Sequence, residues 1–234
     1  MIWRKSWLEC RFRVLLCTAV GLLLAFAGLF SFVDPAKHAV EWPIYCRLLL
    51  NTLMAITVVN LAGSGINSQS RWGLVHGFHP SMYFLLSLPI SRRRALLIRA
   101  AVGMVFTFLI VAVGAFCFGL FAPLRGVRVG MNDILSAVAF LSIFAYALFG
   151  FTTFLTTTLD EVVSGILGFA FAAFLLGAGH GMSGGRRHLE PLAFIDGELF
   201  VRTGHIIWPA IAVLIAIGTI FMLASIYVVE RKEY

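Results

Sequence analysis

Residues 100–122 read AAVGMVFTFLIVAVGAFCFGLFA, with no charged side chain and no proline. As a helix rising about 1.5 Å per residue this stretch is about 34 Å long, enough to cross a hydrocarbon core roughly 30 Å thick. It has no polar face to turn towards water, so the solvent it suits is lipid. Five more stretches without charge follow the same pattern, at 14–33, 48–66, 134–159, 162–179 and 206–229. The expected fold is an all-α polytopic membrane protein in which six spans use up most of the chain. Residues 1–234 then form one transmembrane domain.

Composition agrees. The chain has 234 residues, 60% hydrophobic and 12% charged, about half the charged fraction typical of a soluble domain. The formal charge of +7 does not point to nucleic acid, because the basic residues cluster at the ends of apolar runs and not along one soluble face. Cys10, Cys17, Cys46 and Cys117 show no CxxC or metal-ligand spacing and read as small apolar residues. The run 14–33 exceeds the about 7 to 15 apolar residues of a secretory signal and is followed by further spans, so it reads as a mature helix.

Between the spans, residues 1–13 carry Trp3, Trp7, Leu8 and Phe12 on one side and Lys5, Ser6, Glu9 and Arg13 on the other. That arrangement suits a short helix lying in the membrane interface. Residues 67–99 form the long polar-flanked loop, Asp160-Glu161 a tight turn, and 180–205 a loop with short apolar pieces that dip into or lie on the membrane. Counted on alternate sides, the side with both termini, the 67–99 loop and the Asp160 turn holds eleven lysines and arginines, against seven on the other. The positive-inside rule therefore places both termini in the cytoplasm.

The six spans contain no Asp, Glu, Lys or Arg, although proton- and ion-coupled carriers keep such groups at a cost of at least about 2.5 to 3.5 kcal/mol each. Their absence argues against a secondary transporter, a proton pump and an aspartyl intramembrane protease. No span offers a Ser/His pair for nucleophilic catalysis. Neither His76 with His79 nor His180 with His188 has the further ligands a metal needs. Thr57, Asn60 and Ser64 on one face of the second span, with Thr152 and Thr156 in the fourth, are candidates to line a translocation path. The competing reading makes them, and Gly21 with Ala25, glue between helices.

One stretch carries more. Residues 85–100 read LLSLPISRRRALLIRA: Pro89 breaks a preceding apolar helix, Ser91 can cap the next, and Arg92, Arg93 and Arg94 stand at the mouth of the third span. This phrase and the whole layout resemble the ABC-2 family of transporter permeases, whose members often carry Leu-Pro-Ile/Val-Ser-Arg-Arg after the second of six spans. The resemblance covers nearly the full length. It implies a bacterial inner-membrane exporter subunit of type V exporter-like architecture, paired with a second copy or a paralogue. A separate cytoplasmic ATPase would hold ATP and Mg²⁺, and this chain would bind no cofactor or metal. The resemblance further implies that the ATPase docks through a coupling helix within roughly Arg71 to Leu86, with Arg71 and Trp72 among its contacts, aided by Pro89, Ser91 and Arg92 to Arg94, with Asp160 and Glu161 as the lesser contact. One departure stands out: many members have a Glu-rich phrase with Gly-Thr before the coupling helix, where this chain has Ser68-Gln69-Ser70-Arg71-Trp72-Gly73.

With no GxxxxGK[ST] and only Lys5, Lys37 and Lys232, none preceded by glycine, the chain has no P-loop of its own. The alternative role is a non-transporting membrane anchor or assembly factor that recruits cytoplasmic proteins through its basic loop. Either role involves membrane lipid and protein partners, and neither involves nucleic acid.

Overall fold

The structure, a computed structural model, describes residues 2–30, 42–62, 91–121, 130–159, 161–182 and 208–231. These residues form six helices and no strand: α1 (Ile2–Phe30), α2 (Trp42–Leu61), α3 (Arg92–Phe121), α4 (Met131–Thr158), α5 (Glu161–Met182) and α6 (Trp208–Arg231). Three stretches within them, Arg92–Phe121, Ile134–Thr158 and Ile211–Arg231, are long and apolar enough to cross a membrane, and Leu49–Leu61 and Val163–Phe174 are shorter apolar helices. The length and apolar character of those three stretches make this a membrane protein.

Contacts between helices fix their directions. Arg13 of α1 reaches Asn60 of α2 while Gly21, two turns on, meets Leu53, so α1 and α2 are antiparallel. Gly103 and Gly119 of α3 meet Phe149 and Ile134 of α4, again in opposite order. Trp7 stacks on Phe106, and α1 and α3 are parallel. α5 runs back along α4, with Phe171 against Phe151 and Gly168 against Thr152. One end of the bundle, the basal end, therefore holds the starts of α1, α3 and α5 and the ends of α2, α4 and α6. The apical end holds the rest.

Two seams hold the bundle together. Leu53, fully buried, is a wedge in the first: a Cβ at Gly21 would stand 3.0 Å from its Cδ1, and one at Gly114 2.7 Å from its Cδ2. Glycine at both places lets α1 and α3 close on α2. The second joins α4 to α6, the most extensive helix pair. There Gly150 and Gly218 bring two backbones together, since a Cβ on Gly150 would strike the Gly218 carbonyl oxygen and one on Gly218 would lie 3.1 Å from the Ala147 Cα. Small residues of this kind drive association in lipid, where apolar burial between helices gains little. Phe151 adds an edge-on contact to Phe221, centroids 5.1 Å apart.

Two expectations change in detail. Residues 1–13 do not form a helix separate from the first span: α1 continues unbroken through Val14. No glycine or proline lies between Ile2 and Val20, and Cys10, Val14 and Cys17 form a single buried stripe across the junction. The third helix also starts earlier than its apolar core, at Arg92 rather than residue 100, because Ser91 caps it. α4 and α5 closely follow the expected 134–159 and 162–179, with α5 extending to Met182.

Candidate functional site

The basal end collects the charge. Of the ten arginines and lysines in the six helices, Arg4, Lys5, Arg11, Arg13, Arg92, Arg93, Arg94, Arg99 and Arg231 lie in basal portions, and only Arg47 lies in an apical one. Ser91 starts the richest cluster. Its Oγ accepts a hydrogen bond from the Arg94 amide at 3.3 Å and its carbonyl accepts one from the Ala95 amide at 3.1 Å, the geometry of an N-cap. Arg93 and Arg94 stand exposed and Arg92 is half-buried, so the triplet presents cationic groups directly on the first turn of a 30-residue helix.

Arg99 differs from that triplet. Sequence reading leaves it in the 67–99 loop, whereas the structure places it seven residues into α3 with 5% of its surface exposed. At about 1.5 Å per residue it sits about 10 Å above the helix start. One turn further on, Gly103 abuts Phe149 of α4 and the carbonyl oxygen of Leu61, in the last turn of α2. The α3 helix is therefore not free of charge: its buried Arg99 lies one turn basal of the point where α3 meets the last turn of α2. Beginning the span at the first charge-free residue assigns Arg99 to the loop, although Leu96 to Ile98 before it are apolar. Arg13 reaches the carbonyl end of α2 directly: its Nη1 donates to the Asn60 carbonyl at 3.1 Å.

The candidate pathway residues divide between two interfaces. Thr57 turns towards α1, where it meets Cys17, and the Asn60 backbone carbonyl accepts from Arg13 of α1, whereas Thr152 faces Gly168 of α5. Each bonds to its own helix: Thr57 to the Leu53 carbonyl at 2.7 Å, Asn60 to Ile56 at 2.8 Å, Thr152 to Leu148 at 2.8 Å and Thr156 to Thr153 at 2.8 Å. Thr153 is the exception, fully buried with no hydrogen-bond partner for its hydroxyl among the described residues. Lying one turn basal of Phe149, it stands at about the depth of Arg99. Ser64, Arg71, Trp72, Pro89 and Asp160 lie outside the described residues, and Glu161 opens α5.

Comparison with known protein families, with curated proteins and with solved structures gives no match.

Proposed function

We propose that this chain is the membrane-spanning permease subunit of an ATP-binding cassette exporter, with six spans, both termini in the cytoplasm of a bacterial cell and ABC-2 architecture. The observation that carries this reading is the unbroken passage from the Ser91 cap through Arg92, Arg93 and Arg94 into α3. A push on that arginine cluster is delivered to a rod that packs on α1, α2 and α4. A separate ATPase, holding ATP and Mg²⁺, would dock there and through the 67–99 loop, and its cycle would bias an inward-to-outward rigid-body switch of two such subunits. The gathering of nine basic residues in the basal portions of the helices supports a cytoplasmic placement for that face.

A second reading, the non-transporting anchor or assembly factor, draws support from a different feature. Thr57, Thr152 and Thr156 bond within their own helices and lie buried, as in a closed bundle without a wet path. Gentle purification of the tagged chain from its native membrane, followed by mass spectrometry, separates the two. A stoichiometric P-loop ATPase that is lost when Arg92, Arg93 and Arg94 are all replaced by alanine is the expected result. Reproducible recovery with no ATPase would overturn the permease reading in favour of the anchor.

A further inference from the structure

Between α1 and α3 lies a crevice of about 170 Å³ whose walls include Thr18 and Leu22 on one side and Phe106, Leu109 and Val113 on the other. Its polarity is low: the Thr18 hydroxyl, the wall's main polar group, is turned back onto the Val14 carbonyl at 2.8 Å. An apolar wall of this kind suits hydrocarbon better than water. Leu22, Leu109 and Val113 are each about half exposed along its rim, so the crevice opens sideways to the surroundings of the bundle.

Its dimensions select the occupant. The lining runs from Val14 to Leu22 on α1 and from Phe106 to Cys117 on α3, about 12 Å and about 16 Å of helix. That is the depth of one leaflet, half of a hydrocarbon core roughly 30 Å thick. An extended acyl chain matches that length, and the crevice is open to the surroundings along it.

The basal mouth selects the headgroup. Trp7, Arg11, Thr18 and Leu22 recur at helical spacing on one face of α1. Trp7 is stacked on Phe106, a wall residue at the basal end of the crevice, with ring centroids 4.6 Å apart. Arg11, one turn above it on the same face, is exposed. We propose that the α1/α3 crevice binds one acyl chain of an anionic phospholipid whose phosphate is held at Arg11. The proposal rests on the spanning reading only in that α1 must lie in the bilayer beside α3.

The test uses the full chain in phosphatidylcholine nanodiscs containing a minor fraction of phosphatidylglycerol with a photoactivatable diazirine in its acyl chain. Adducts are mapped by mass spectrometry. Labelling should concentrate at Thr18, Leu22, Leu109 and Val113 over the exposed α6 positions Ile220 and Leu223, which report bulk lipid. Val113→Trp, or Leu109→Trp should the first variant fold poorly, fills the crevice and should lower α1 labelling several-fold with α6 labelling unchanged. Arg11→Gln should reduce crevice labelling by the phosphatidylglycerol probe about fivefold, the factor for one arginine near an anionic surface, and leave a matched phosphatidylcholine probe unaffected. Crevice labelling no stronger than that of α6, or labelling indifferent to the tryptophan variants, overturns the site. Equal loss with both probes in Arg11→Gln overturns the headgroup assignment. Absence of α6 labelling as well would instead overturn the spanning reading, and the site with it.

Discussion

At the scale of single residues, the two seams and the basal arginines make the sharpest demands. Gly150→Ala puts a methyl group into the Gly218 backbone, which no rotamer change relieves, and should destabilise the protein by about 1 to 3 kcal/mol. Gly165→Ala is its control, because a Cβ there would meet only Val59 Cγ1 at 4.0 Å; it should be neutral, or stabilising by less than about 1 kcal/mol through helix propensity. Thermal unfolding of both variants in one detergent gives the comparison, and equal midpoints would mean that the α4/α6 seam is looser than described. Arg13→Gln removes a charged donor from the Asn60 carbonyl and should cost about 1 to 2 kcal/mol, with partial rescue by Arg13→Lys. Only part of this could be read from the sequence. Thr57, Asn60 and Thr152 stand out as polar positions in apolar runs, but because such groups satisfy themselves within their own turn, nothing in the sequence says which neighbour they face. Arg99 is misassigned for the opposite reason, because its charge marks it as loop although it belongs to the same helix as the three apolar residues before it.

Among the elements, the helices were the most legible feature and their starting points the least. Apolar runs locate all six described helices, three of which are long and apolar enough to cross a membrane. They do not mark where a helix begins when its first turns are basic. α3 gains eight residues from the Ser91 cap, and α1 gains its whole basic opening from a stripe of buried Cys10, Val14 and Cys17. The cap can be tested directly. Ser91→Ala leaves the Arg94 amide without its 3.3 Å acceptor and should weaken the helix start by about 1 kcal/mol, seen as roughly fivefold faster hydrogen exchange at Arg94. The Ile134 amide, bonded to the Gly130 carbonyl at the start of α4, should exchange as before. No change at Arg94 would show that α3 begins without help from the serine.

For the molecule as a whole, the division of charge between the two ends is the feature with an outward consequence. With the basal end in the cytoplasm, a single cysteine at Arg93 in a background lacking Cys10, Cys17, Cys46 and Cys117 should resist a membrane-impermeant maleimide applied to intact cells. One at Met131, exposed at the apical start of α4, should react. The reverse pattern would invert the topology and remove the arginine cluster from reach of any cytoplasmic ATPase. Pairing between distant helices was beyond sequence reading, because Gly150 and Gly218 look no different from glycines elsewhere in the chain until two backbones are seen to meet. Their separation also sets a schedule for biosynthesis. Gly218 leaves the ribosome 68 residues after Gly150, roughly 3 to 14 s later at ordinary elongation rates. For that interval the glycine face of α4 has no α6 to pack against, and the closest backbone contact of the fold waits on the last helix.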